Sequence, residues 1–325
     1  MIVGWIALNI LIHFNGTPEG VVTGTLYLGR LCILTGYGWA ISTLLHTHRL
    51  SFRYFSHTIF AAFFAVSVFG FIQYFLFPDT RSLVLLGWDD HYFRLISTLF
   101  DPGFTGIILA VAALLHLRGT LLQKTSFAEY GFIVLHGIGL LLTYSRASYL
   151  AFAAGIVLLS VLNKNWKVLL VLPVFVSLLF FLPRPGGEGV KLERTASVIA
   201  RLESNSTALE ADSSVSWLIG DGWYAKKVTQ PTQQKDGIEV PNHSSAPENS
   251  LVFVYSSLGV IGVVLIVGFI AVLVLRVGIS SEFSLAMGMV LVHSLFSNTL
   301  FHPFVLILLA WIMARSVHDA LRPSQ

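Results

Sequence analysis

The sequence predicts an all-α fold, a polytopic integral membrane helix bundle of about ten transmembrane helices with one large loop on its outer side. Two observations carry this. Apolar residues make up 55% of the 325 and charged ones 11%, with a mean hydropathy of +0.76, a balance foreign to an ordinary soluble domain of this length. The apolar residues also fall in runs near the roughly 20 that a helix needs to cross a bilayer core, and such runs recur along the whole chain. Helices rather than a barrel are implied.

Composition excludes other classes. The net charge is +3 and the basic residues are scattered among apolar runs, so no tract fits a nucleic acid. Cys32 is the only cysteine, which rules out an intrachain disulfide and a Cys-based metal site, and it is expected to pack inside a span. No Asp-x-Asp or paired-His spacing points to a metal, and no cofactor is expected. Ile2 to Phe14 lacks a basic leader and a small-residue cleavage site, so it reads as a short first span rather than a removable signal.

Taken in order, the expected spans cover 2–14, 21–45, 57–77, 103–117, 127–143, 147–162, 168–182, 250–275, 283–298 and 302–316. Three regions result: an N-terminal membrane bundle over 1–182 with an interfacial segment at 79–103, a loop with an amphipathic helix over 183–248, and the last spans with a short tail over 249–325. Basic residues occupy alternate connections: His46-Thr47-His48-Arg49 with Arg53, Arg118 with Lys124, Lys164 with Lys167, Arg276, and Arg315 with Arg322. The positive-inside rule makes that side cytoplasmic, together with both termini. The outer side receives 15–20, 79–103, the turn at Ser145-Arg146, the loop 183–247 and 298–303.

Within 79–103, Trp88, Tyr92 and Phe93 suit the headgroup layer, and the segment is too broken for a span; it is expected to be interfacial or re-entrant. Pro183-Arg184-Pro185-Gly186-Gly187 ends the seventh span. The stretch Arg194 to Ala211, with Val198, Ile199, Leu202 and Leu209, has the pattern of an amphipathic helix lying near the membrane. Trp217 to Tyr224 is a glycine-punctuated turn flanked by aromatics, and the rings of Trp217 and Trp223 are of the kind that stacks on sugars.

The chemistry-bearing residues gather on the outer side. Arg94, Arg146, Arg194 and Arg201 stand in or beside apolar sequence, where guanidinium forks match phosphate oxygens; snorkelling to lipid headgroups is the equally open alternative. Arg146 sits in a turn too short to solvate it away from the helices. Arg30 falls inside a span, where a charge costs at least roughly 2.5–3.5 kcal/mol, and it calls for a buried partner or a cavity. Glu248 stands at the mouth of the span that follows, between Pro247 and Asn249. Partial desolvation there would raise its pKa and suit it to take a proton from a sugar hydroxyl, while a carboxylate complementing the helix dipole is the plainer reading. His243 offers a second acid/base group or an ordinary loop histidine, and His136 and His293 are expected to pack or hydrogen-bond within spans.

Four stretches together resemble the bacterial O-antigen ligase and O-antigen polymerase superfamily. Ser145-Arg146-Ala147 is similar to its Ser-Arg-Gly/Ala motif. Glu248-Asn249, nine residues, then Gly259-Val260-Ile261-Gly262 is similar to its His/Glu-Asn and Gly-x-x-Gly motif. Phe100 to Gly106 resembles the Pro-Asn-x-x-Gly segment, with Gly103 where Asn is usual, and Trp217 to Tyr224 resembles the Gly-x-Gly segment of the large loop. The resemblance implies that the loop is periplasmic and the protein lies in the bacterial inner membrane. It implies an undecaprenyl-diphosphate-linked oligosaccharide as donor, a glycan as acceptor and membrane lipids as surroundings. Arg146, with Arg94, Arg194 or Arg201, would neutralise the diphosphate; Asn249, Trp217 and Trp223 would contact substrate; and Glu248, with His243, would do the acid/base work without a metal. Ligases of the superfamily place His where this chain has Glu248, so the resemblance leans toward a polymerase. A ligase acting on lipid A-core is the second reading, and a flippase for lipid-linked glycans is the reading from a different class.

Overall fold

A computed structural model describes residues 1–14, 18–86, 88–122, 127–193, 195–210, 214–224, 233–235, 238–240 and 247–321. The chain is helical, in the order α1 (Ile2–Ile12), α2 (Pro18–His46), α3 (Phe52–Leu76), α4 (Pro102–Leu122), α5 (Phe127–Leu142), α6 (Arg146–Leu162), α7 (Val171–Phe180), α8 (Ala196–Leu209), α9 (Ser216–Ile219), α10 (Ser250–Val277), α11 (Glu282–His293) and α12 (Pro303–Leu321). One short antiparallel pair, β1 (Gln233–Lys235) with β2 (Ile238–Val240), adds the only strands among the described residues. Four helices, α2, α3, α4 and α10, are long and apolar enough to cross a membrane, and the other expected spans hold shorter apolar helices. The helix starts follow local chemistry. Proline opens α2, α4 and α12, where its missing N–H costs nothing. The Ser145 side chain caps α6, and the Asn249 Oδ1 caps α10 by accepting from Leu251 N at 2.8 Å and Val252 N at 3.2 Å.

Packing groups the helices differently from their order in the chain. One unit comprises Met1–Thr47, Thr195–Ile279 and Ser294–Gln325; the other comprises His48–Arg194 and Ser280–His293.

In the second unit α4 is the buried axis. Residues Thr105 to His116 are enclosed on every side, and α3, α5, α6 and α11 supply the enclosure. Small residues allow the approach: Gly106 faces Ser148, Gly139 faces Leu109, and Gly155 faces Met289 and Leu114. His136 bonds Ser67 Oγ at 2.7 Å and His293 Nε2 meets Ser148 Oγ at 3.1 Å, so both are interior hydrogen-bonding residues, as expected. The segment 79–101 holds two 3₁₀ turns, Arg81–Leu86 and Ser97–Leu99, and a bridge between Asp79 and Tyr92. Its Leu95 and Ile96 are buried, Leu95 filling the space that Gly70 leaves on α3.

In the first unit the loop segment around α9 docks at a break in α10. Gly259 has φ 65° and ψ −169°, which interrupts the helix ladder and releases carbonyls just before it. Replacement donors come from elsewhere: Asp221 N to Ser256 O at 2.7 Å, Gly222 N to Ser257 O at 3.2 Å, and the Trp5 indole to Leu258 O at 3.3 Å. Asn9 of α1 clamps the same turn, donating to Ile219 O at 2.7 Å and accepting from Trp223 N at 2.8 Å. A buried polar residue on the first helix thus holds the glycine-rich turn in place. Cys32 is exposed on α2 rather than packed, because its helix turns that side outward.

Candidate functional site

In the first unit the site is built around the start of α10. Ser250 N donates to Ser294 O at 2.9 Å and Ser250 Oγ to Asn298 Oδ1 at 3.1 Å, which fixes that end against 294–298. Glu248, just before the cap, forms an ion pair with Arg201 of α8, whose Nε donates to Glu248 Oε2. Both are about one-third exposed, so the carboxylate is open to a substrate and held by a guanidinium, not isolated in apolar surroundings. The positive end of α10 lies beside it. Asn249 is occupied as a cap, and its Nδ2 donates to Leu295 O at 3.0 Å; its amide is spent on the fold, which is why Asn suits the position.

In α8 the packed residues are Ser204 and Ala208, while Val198, Ile199, Leu202 and Leu209 are exposed. That apolar face points away from the protein, as a membrane-lying helix requires. The two tryptophans part company. Trp217 is 55% exposed, but Trp223 is 2% exposed and packed against Tyr224, Phe253 and Phe301. The expectation that Trp223 stacks on sugar is therefore corrected: an indole enclosed by three rings is core. Arg194 and His243 lie outside the described residues.

In the second unit, Arg94 bonds the turn that Arg146 follows. Tyr144 has φ 52°, and the carbonyls it exposes are met by Arg94, with Nε to Thr143 O at 3.0 Å and Nη2 to Tyr144 O at 3.4 Å. The Tyr144 hydroxyl donates to Pro183 O, and Arg146 Nη1 donates to Leu192 O at 3.1 Å. Both arginines are half-buried, and both reach the segment that leaves α7: Arg146 at Leu192, Arg94 alongside Gly189. Close by, Asp101 caps α4 by accepting from Phe104 N at 2.7 Å. Burial pushes the Asp101 carboxyl above its ordinary range; the neighbouring Asp89 charge adds to this, while the Phe104 N–H and Arg94 pull the other way.

Among the described residues Asp89, His91 and Asp101 offer ligand atoms that lie within 4.8 Å of one another and are the group able to hold a metal. Their separation along the chain matches no metal motif, so the sequence gives no sign of them. The Arg201–Glu248 pair was equally hidden, because 47 residues separate its members and nothing local marks the partnership.

Residues 131–267 match the family model described as O-Antigen ligase. Over that stretch the chain is similar to the O-antigen ligase family. The O-antigen ligase match runs from α5 into α10 and takes in Arg146, Arg201, the docked turn 216–224, Glu248 and the Gly259 break. Among curated proteins none matches the chain. The apolar helices and the O-antigen ligase stretch together make this an integral membrane protein, and the family points to glycan transfer at the membrane.

Proposed function

We propose that this protein is a glycosyltransferase of the bacterial inner membrane that moves an undecaprenyl-diphosphate-linked oligosaccharide onto an acceptor glycan at the periplasmic face, as a polysaccharide repeat-unit polymerase. The observation that carries the reading is the Arg201–Glu248 ion pair next to the capped start of α10, inside the stretch matched by the family model. A diphosphate competes with Glu248 for Arg201, since both are bidentate partners of a guanidinium. Once Arg201 turns to the phosphate, the carboxylate is free to act as general base.

The acceptor hydroxyl then attacks the anomeric carbon from the side opposite the diphosphate. The bond from that carbon to the phosphate oxygen breaks with its electrons leaving on the lipid diphosphate, and the hydroxyl proton passes to Glu248. Attack in line inverts the anomeric centre. Arg146, with Arg94, Arg194 or Arg201, is assigned to neutralising the leaving diphosphate, and arginine charge takes the part that a divalent metal plays elsewhere. His243 is assigned as a second acid/base group and Trp217 as a platform for sugar.

Purified protein incubated with lipid-diphosphate oligosaccharide is expected to give a ladder of longer glycans, with Glu248→Gln losing at least about a hundredfold in rate. Arg146→Lys is expected to lose at least about tenfold, because an ammonium lacks the fork. Full chain lengthening by Glu248→Gln would remove Glu248 as the base. The Glu248 position also leaves a ligase reading, and transfer to lipid A-core without a ladder is the outcome that favours it.

A further inference from the structure

One intramembrane charge that the glycosyl-transfer scheme does not use is Arg30. It stands on α2, about 18 Å along the helix from Pro18 and about 24 Å from His46, so neither end of the span brings it to water. An intramembrane arginine calls for a counter-ion, and no carboxylate contacts it among the described residues. Its partners are instead neutral. Nη2 donates to Phe301 O at 3.2 Å, the guanidinium carbon lies 4.2 Å from the Tyr27 ring centroid, and the buried Nε has no hydrogen-bond partner among the described residues. Tyr224, from the docked turn, stacks on Tyr27 with centroids 3.8 Å apart. Burial pushes the Tyr224 hydroxyl up, and the Arg30 charge opposes that, which places the two groups within electrostatic reach.

We propose that Arg30 is the anion-binding residue of a lipid phosphate ester site in the first unit, formed with Tyr27, Tyr224 and Phe301. One guanidinium donor is spent on the Phe301 carbonyl, and those that remain are enough for a phosphoryl group to accept two. The Tyr224 hydroxyl stands as a further donor. The neighbours of Arg30 on the same face of α2, Leu26 and Ile33, are 68% and 72% exposed, so the site opens sideways through an apolar face. A free ion has no route through hydrocarbon to that depth, whereas a phosphate tethered to a lipid chain approaches along it. The counter-ion that Arg30 lacks among the described residues is thus brought by the lipid. The two sources of such a group are a lipid-linked diphosphate and a membrane phospholipid, and they share the chemistry that Arg30 recognises.

Native mass spectrometry of the detergent-purified protein tests this with three probes: polyprenyl diphosphate, phosphatidylglycerol and inorganic pyrophosphate. The wild type is expected to hold one lipid phosphate at this site beside any lipid diphosphate held at Arg201, and the Arg30 site is the one that Arg30→Gln weakens by at least about tenfold and Tyr224→Phe by a few-fold. Arg276→Gln, at the far end of α10, removes the same charge and is expected to bind like the wild type. Displacement of polyprenyl diphosphate by equimolar phosphatidylglycerol assigns the site to membrane phospholipid, and its absence assigns it to the lipid diphosphate. If Arg30→Gln does not fold, Arg30→Lys keeps the charge and loses the fork, and it too is expected to bind less. Unchanged binding of both lipids by a folded Arg30 variant overturns the proposal, as does pyrophosphate binding as tightly as the lipids. Glycosyl transfer is not part of the readout, so failure of the polymerase reading leaves this result standing.

Discussion

Gly259 and the Leu218 carbonyl share one space: the glycine sits at φ 65° inside α10, and the carbonyl packs where a Cβ would project. Gly220, at φ 78°, meets the Ser257–Leu258 backbone in the same way from the other side. Two chain segments touch here backbone to backbone, and the turn that bears Trp217 is held at the helix break by that contact. The Gly-x-x-Gly pattern thus has a mechanical reason at its first glycine.

Gly259→Ala is accordingly expected to destabilise the protein. A β-carbon at positive φ costs about 1–2 kcal/mol by itself, and the backbone it meets cannot swing away as a side chain would. A fall in the thermal unfolding temperature, with greater protease sensitivity of the 216–224 turn, is the outcome to look for. A variant as stable as the wild type would mean that the docked turn is not fixed by this contact.

Features that depend on a few neighbouring residues were legible in the sequence. The apolar runs became helices, and α8 formed within the stretch 194–211 with its apolar side chains outward. What depends on distant partners was not legible. Nothing near Glu248 names Arg201, and nothing near Trp223 reveals that Phe253 and Phe301 will enclose it. Trp217 and Trp223 look alike in sequence because they bracket the same Gly220-Asp221-Gly222 turn, and only packing separates a surface ring from a core ring. The regrouping of α1, α2 and α12 with α8 to α10 was equally invisible, since periodicity fixes a helix and a face but not the neighbour.

Asp101 gives a pH-dependent prediction. Its carboxyl is held above the ordinary value of 3.8, first by burial, so the protonated form is favoured in the folded protein. Stability from this group is fully present below 3.8 and is lost as pH rises through the folded value. Asp101→Asn keeps a cap for Phe104 N and removes the charge. It is expected to raise the unfolding temperature at pH 7 by about 2–4 °C, with the gain fading toward pH 4. Asp79 slopes the other way: Arg81 holds it near 2, so its small contribution is present above 3.8 and disappears as pH falls through 2. A lower unfolding temperature for Asp101→Asn at pH 7 would show that the charge of Asp101 is compensated, with Arg94, whose charge favours the ionised form, able to do so.

Trp217 and Trp223 provide the sharpest separation of site from scaffold. Trp223→Ala empties a volume enclosed by Tyr224, Phe253 and Phe301, and its expected cost is roughly 3–5 kcal/mol of stability. Trp217→Ala removes a ring that is more than half exposed and is expected to leave stability within about 0.5 kcal/mol. If that ring is a sugar platform, the same variant weakens binding of the oligosaccharide part of the donor or acceptor by about fivefold. Thermal unfolding and glycan binding measured on both variants make the comparison. Equal stability losses would contradict the burial difference, and unchanged glycan binding by Trp217→Ala would leave the exposed ring to the membrane interface, where tryptophan is also at home.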